Sequence, residues 1–369
     1  MPSSPSSARA LLPQLAAFLQ QPGLKLIAGH MRPDGDAFGA ALGLARTLTL
    51  QGQPAVVAAD PAELGLVNFL EGSEAVVTPA EAAKLPATAI VCLDAGTADR
   101  IPEPLQPLLQ RLPVANIDHH RTNPRFGQIN WIEPRMGSTS EMIWRLIRHA
   151  RWPLDRAAAE ALWVGVITDT GRFAYDLTTP RTLRCGADLL RYGVRTAWIN
   201  DRLYGSFERK VLELKRRAFQ SLETWADDRI GVITLTRDDF AAAGCTKTEA
   251  EDLIEIPRSL RNSLLALLFY QAGEEGVTRL SIRTREPLDA TRLALRYHGG
   301  GHIRAAGCTI PAPLLEAKAQ VRKIVEEWLR ESAASGQSPV TSGETTSPQN
   351  IGKGIEKLKG GKKAPALPS

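Results

Sequence analysis

The chain has 369 residues, 43% hydrophobic and 23% charged, with a formal net charge of +5 and a pI near 9.1. That length exceeds what one hydrophobic core ordinarily serves, so two domains are expected, and the composition excludes a disordered or fibrous chain. No apolar stretch approaches a membrane span, the four cysteines stand far apart without zinc or redox spacing, and the first seven residues lack the positive start of a secretory signal; together these point to the cytoplasm.

After an N-terminal helix or extension over residues 1–23, Leu24–Ala28 reads as a buried strand and residues 37–50 as a helix. His30, Asp34 and Asp36 fall on the turn between them, which Pro33 and Gly35 bend sharply. Residues 55–59, 89–93 and 114–117 are further short strands, the last two leading into Asp94 and Asp118. Strands alternating with helical patterns predict an α/β domain with a mostly parallel sheet flanked by helices, a class in which ligands bind beyond the carboxyl ends of the strands. Ser138-Thr139-Ser140-Glu141 is a capping-box pattern that opens a helix through Met142, Leu146 and Ile147, and another helix runs from about Asp155 to Ile167 with Asp169 just past it. Residues 181–224 read as helical and charged. The first domain is therefore placed at 24–193, a helical linker at 194–227 and a smaller α/β domain at 228–330.

In that second domain, Ile230–Leu235 and residues 278–283 read as strands, residues 254–270 and 313–329 as helices, and Gly299-Gly300-Gly301-His302 as a loop. Residues 331–369 hold too few large apolar side chains to offset ordering entropy and are expected to form a disordered basic tail.

Five of the six histidines fall in three short segments: His30, then His119 and His120, then His298 and His302. His149, alone on a helix face, reads as an ordinary partly buried histidine. If Asp34, Asp36, Asp94 and Asp169 converge with His30 and His119, neighbouring carboxylates about 4 Å apart repel by about 4 kcal/mol at an effective dielectric near 20. Protons or cations must neutralise them. Two divalent ions do so and leave positions for a water and for phosphate oxygens, which predicts hydrolysis at phosphorus. The mixed donor set suits manganese, with magnesium, cobalt or iron as alternatives. The glycine run lets backbone amides approach an anion, with His302, Arg283 and Arg258 supplying positive charge; a flexible turn is the plain alternative.

These residues resemble the DHH phosphoesterase family. The segment from His30 to Asp36 resembles its first motif, Asp94 in Val91-Cys92-Leu93-Asp94 its second, Asp118-His119-His120 its third and Thr168-Asp169-Thr170-Gly171 its fourth, in the family's order. The glycine-histidine loop resembles the family's associated C-terminal domain, so the likeness covers residues 24–330. It implies one metal on His30, Asp34 and Asp94 and a second on Asp36, Asp94, His119 and Asp169, with Asp94 bridging. It implies catalytic roles for Asp94 and His120, the latter beside the substrate phosphate or leaving group, and Asp118 orienting a neighbouring imidazole. Substrate contacts are implied at His120, Arg121, Arg258, Arg283, Gly300, Gly301 and His302.

Within the family, a compact chain of this length is similar to the group that degrades very short RNAs and dephosphorylates 3'-phosphoadenosine 5'-phosphate (pAp). The implied partners are short single-stranded RNA and small phosphorylated nucleotides, with no membrane and with a homodimer left open. Arg32, Ala40 and His298 depart from the family pattern without removing a ligand. The alternatives are a phosphodiesterase of cyclic dinucleotides such as cyclic di-AMP, or, from another class, a non-catalytic nucleotide sensor or an RNA-binding protein. Loss of ligands would be expected in a sensor, and every ligand is present.

Overall fold

The short apolar runs of the N-terminal half become strands because each is too short for a buried helix and ends in a turn-forming segment. In chain order come α1 (Pro5–Gln20), β1 (Leu24–Ala28), α2 (Gly35–Thr49), β2 (Ala55–Ala58), α3 (Pro79–Ala82), β3 (Ala87–Leu93), β4 (Val114–Asp118), β5 (Ile129–Ile132), α4 (Thr139–Ala150), α5 (Arg156–Asp169), α6 (Pro180–Leu190) and α7 (Thr196–Asn200). This computed structural model describes residues 5–271 and 276–334. They form two units divided after Leu214, with Ala243–Glu249 counted with the first.

The five strands of the first unit pair in the order β2-β1-β3-β4-β5, all parallel. Alternate residues of each strand feed opposite layers. Ile27, Val57, Val91 and Ile117 pack with Phe38, Leu44, Met142 and Leu162 on one side, while Leu26, Ile90, Cys92 and Val114 pack with Ala82, Ile101 and Leu105 on the other. Among the described residues no helix is long and apolar enough to cross a membrane.

The closest helix pair is α2 against α5, and glycine permits it. Gly35, Gly39 and Gly43 recur every fourth residue on α2, and an added Cβ at Gly39 would lie 2.5 Å from the Ala161 carbonyl oxygen and 2.8 Å from Gly165 N. At Gly35 it would lie 2.6 Å from Thr168, and at Gly43 2.7 Å from Leu162. The backbones touch, so the start of α2, with Asp36, lies beside the end of α5, with Asp169.

Then follow α8 (Arg209–Gln220), β6 (Glu223–Trp225), β7 (Ile230–Leu235), α9 (Arg237–Ala243), α10 (Glu255–Arg258), β8 (Leu265–Tyr270), β9 (Thr278–Thr284), α11 (Ala290–Ala294), β10 (Gly300–His302), β11 (Ala305–Ile310) and α12 (Leu314–Ala334). The second sheet has the order β10-β11-β9-β8-β7-β6 and is antiparallel except where β7 meets β8. Leu293 of α11 and Val321, Val325 and Trp328 of α12 close one face over Val232, Leu267, Phe269 and Ile282.

Four expectations are corrected here. The stretch 181–224 is not helical throughout, because Glu223–Trp225 pairs with β7 as a strand. The helix expected over 254–270 is helical at Glu255–Arg258, and Leu265–Tyr270 is a strand. Its run Leu-Ala-Leu-Leu-Phe-Tyr is buried on both faces, between α12 and α10, so it lacks the alternation that marks a half-exposed strand. The glycine loop is an edge strand, with Gly300 opposite Gly307, Gly301 opposite Ala306 and His302 opposite Ala305. Gly301, at φ 142, lets the strands approach where an added Cβ would meet Ala306. Finally, α12 runs through Ser332-Ala333-Ala334, where nothing breaks a helix, so Glu331–Ala334 do not belong to the expected tail. Residues 335–369, with the rest of that tail, lie outside the described residues.

Candidate metal centre

Strand order reverses between β1 and β3, and ligands of such sheets bind outside the carboxyl ends at that switch point. His30 follows β1, Asp94 follows β3 and His119 follows β4. Asp34 caps α2, its Oδ1 accepting from the Asp36 and Ala37 amides at 2.9 and 3.0 Å, while its Oδ2 lies 4.0 Å from His30 Nε2. Asp94 sits at φ 55, a left-handed conformation that aspartate tolerates better than most residues. From there its two oxygens diverge: Oδ2 lies 3.7 Å from His30 Nε2 and Oδ1 3.4 Å from His119 Nε2. Asp169 Oδ2 lies 3.3 Å from the same His119 nitrogen. Donor atoms of His30, Asp34 and Asp94 form one group within 4.8 Å of one another, and those of Asp36, His119 and Asp169 form a second.

The hydrogen bonds orient the rings. His119 Nδ1 meets the Met136 carbonyl at 3.2 Å and His30 Nδ1 the Met31 carbonyl at 2.9 Å, so an Nδ1–H donor in each turns Nε2 to the cluster. Arg100 Nη2, 3.0 Å from His30 Nδ1, would demand the opposite tautomer, with Nε2 protonated; a cation held at Nε2 would select the first. His120 donates through Nδ1 to Asp118 Oδ1 at 2.7 Å. Asp118, fully buried, also accepts from Asn123 Nδ2 at 2.6 Å and from the His120 amide at 3.1 Å.

Burial pushes the Asp36 carboxyl well above the usual range, and the charges of Asp94 and Asp169 push it further. Burial likewise lifts Asp169 to about 7 against the pull of His119. Asp94 goes the other way. Burial would raise it, but the His119 hydrogen bond and the three imidazoles hold it well below the usual carboxylate range. His119 and His120 are raised despite burial, the first by Asp169 and Asp94, the second by its bond to Asp118. Without a cation the cluster thus binds protons more tightly at Asp36, Asp169 and His119 than free side chains would. Asp169 Oδ2 is buried and has no hydrogen-bond partner among the described residues. Crowded hard oxygen donors, two Nε2 atoms and an orphaned carboxylate oxygen fit divalent cations.

The structure therefore brings together His30, Asp34, Asp36, Asp94, His119 and Asp169, with Asp118 and His120 beside them. Arg121 lies exposed on the turn after β4, and His149 is exposed on α4. In the second unit Arg258 is paired with Glu255 at 2.7 Å, and Arg283 stands in register with Ala305, itself opposite His302. The His302 side chain lies outside the described residues. His298, at φ 54, ends the short turn Leu295–Tyr297.

Sequence reasoning missed the residues that hold these groups in place. Asp36 Oδ2 accepts from the Thr139 amide at 2.6 Å and Oδ1 from the Ser140 amide at 2.9 Å, and the Thr139 hydroxyl donates to Asp94 Oδ1 at 3.0 Å. The signal was present, since the amides at a helix start bind anions. The expected capping box is half formed: Ser138 Oγ accepts from the Glu141 amide at 3.0 Å, but the Glu141 carboxylate takes Gly137 N and Thr182 Oγ1 instead.

Carboxylates and imidazoles gathered at the switch point of a parallel sheet place the protein among those built to hold divalent cations. Residues 25–166 match the model of the DHH family, N-terminal domain, and residues 235–331 that of the DHHA1 domain. The chain is 36% identical over 306 residues to the bifunctional oligoribonuclease and PAP phosphatase NrnA of Thermus thermophilus, covering 82% of this chain and 89% of that one. It is 29% identical to the protein of the same name from Bacillus subtilis, covering 76% and 87%. Among solved structures, an exopolyphosphatase-related protein from Bacteroides fragilis superposes with a TM-score of 0.78 at 25% identity, covering 88% of this chain and 96% of that one. The chain belongs to the DHH family, whose members are metal-dependent phosphoesterases.

Proposed function

We propose that the protein is a two-cation phosphoesterase that hydrolyses short oligoribonucleotides and removes the phosphate of pAp. The observation that carries this reading is the geometry of Asp94, whose two oxygens face different imidazoles. One cation is assigned to His30, Asp34 and Asp94, the other to Asp36, Asp94, His119 and Asp169. Manganese suits these donors, with magnesium or cobalt as substitutes. Held there, the cations supply Lewis acidity to a phosphoryl oxygen and acidify a water. The substrates are those named for the Thermus and Bacillus relatives, and their chemistry supports a cytoplasmic reaction as part of this reading.

His120 has the features of a general acid. Its Nδ1 is committed to Asp118, and that bond raises its pKa, which favours the charged ring whose Nε2 proton a leaving oxygen needs. Arg121, exposed on the same turn, is assigned to a substrate phosphate. In the second unit, taken by itself, phosphate recognition is assigned to Gly300, Gly301, His302 and Arg283; Arg258 already shares its charge with Glu255.

The test is to offer the purified protein with Mn2+ pAp, dinucleotides, five-residue RNA and cyclic di-AMP in parallel. Release of phosphate from pAp and of mononucleotides from RNA is expected. A marked preference for cyclic di-AMP would transfer the reading to cyclic dinucleotides. Tight binding without hydrolysis of any would leave a nucleotide sensor.

A further inference from the structure

The first turn of α4 does more than begin a helix. Its two amides hold both oxygens of Asp36, Ser140 Oγ reaches the Asp36 carbonyl at 3.4 Å, and the Thr139 hydroxyl holds Asp94 Oδ1. Asp36, Asp94, Thr139 and Ser140 are each no more than 2% exposed, so water does not compete for these bonds. From below, α5 leaves no slack, because an added Cβ at Gly165 would collide with Ser140 Oγ and lie 2.6 Å from Asp36 Oδ1.

Capping does not explain the Thr139 hydroxyl. Ser138 is the N-cap, and its side chain already accepts from the Glu141 amide. The oxygen that Thr139 holds is the one facing His119 at 3.4 Å and His120 at 3.6 Å, whereas the opposite oxygen faces His30. A carboxylate turns easily about its last torsion, where the rotamer wells are broad. If Asp94 turned, neither oxygen would face its imidazole.

We propose that Thr139 is a positioning residue: its hydroxyl fixes the plane of the Asp94 carboxylate so that one side chain serves both cation positions. The proposal rests on the cation assignment above and is independent of the substrate. Removal of outer partners of metal-binding groups typically weakens metal affinity by about 10- to 100-fold.

The test uses the full chain and isothermal titration with Mn2+, together with melting temperature and the kcat and KM for pAp. Thr139→Val, which removes the hydroxyl and keeps the shape, is expected to weaken Mn2+ binding by about 10- to 100-fold. KM for pAp should change little, and Thr139→Ser should restore most of the affinity. Wild-type Mn2+ affinity in Thr139→Val would overturn the proposal, as would a Thr139→Ser variant no better than the valine one, which would assign the effect to methyl packing. Should Thr139→Val fail to fold, Thr139→Ala against Thr139→Ser gives the same comparison. A wild-type protein that binds Mn2+ but cleaves neither pAp nor RNA overturns the substrate reading alone, and the affinity ratio still decides Thr139. A wild-type protein that takes up no cation overturns both.

Discussion

Asp94 confronts three imidazoles with one carboxylate from a left-handed backbone conformation. Its replacement separates chemistry from folding. Asp94→Ala removes the group assigned above to both cation positions, and metal charge stabilisation is worth several kcal/mol, so kcat/KM should fall by about three orders of magnitude or more. An alanine at φ 55 costs about 1–2 kcal/mol and the imidazoles lose their counter-charge, so the variant is expected to melt lower than wild type while remaining folded. Phosphate release from pAp, with circular dichroism as the folding control, checks this; appreciable hydrolysis by the folded variant would refute the bridging role. At this scale the sequence was most informative, because histidine is scarce and two short segments, His30 to Asp36 and Asp118 to His120, set it among aspartates. Thr139 was hidden for the opposite reason. In the sequence a Ser-Thr-Ser run at a helix start reads as capping, and nothing local says that its donors reach Asp36 and Asp94, 103 and 45 residues away.

Among elements, the α2–α5 contact sets the distance between two acids far apart in the chain. Its glycines carry opposing effects that magnitudes can decide. Gly39→Ala gains about 1 kcal/mol of helix propensity. It also forces a methyl to 2.5 Å from one backbone oxygen and 2.8 Å from one backbone nitrogen of α5, where no side chain can swing aside. Overpacking of this kind costs about 1–3 kcal/mol, so the variant should be destabilised in urea and should bind Mn2+ more weakly as Asp36 and Asp169 are pushed apart. A variant as stable as wild type and with its affinity would show that the helices part without consequence for the site. Element types were legible where one face is exposed: Thr278–Thr284 alternates buried and half-buried residues along its length. They were not legible at Leu265–Tyr270, apolar on both faces, or at the four-residue strand Ile129–Ile132, whose pairing with β4 no local pattern announces.

For the molecule as a whole, the cluster links cation binding to stability through protons. In the cation-free protein Asp36 and Asp169 have native pKa values above their ordinary 3.8, Asp169 at about 7. A carboxyl raised on folding binds more protons in the native than in the unfolded chain, so stability declines with rising pH from the unfolded value up to the native one. For Asp169 the cost is absent below about pH 4 and complete above about pH 7. His119, raised above 6.5, adds a contribution that is full below 6.5 and lost as pH climbs through its native value, in the same direction. Asp94, lowered, contributes stability present above 3.8 and lost as pH falls toward its native value, outside this range. A bound cation takes the place of the protons on both acids, and its hold strengthens as they leave. The gap in melting temperature between Mn2+-loaded and EDTA-treated protein should therefore widen from about pH 5 to about pH 8. A gap that stays constant or narrows over that range would mean that the buried carboxylates do not share the cation, and the two-cation assignment would fall with it.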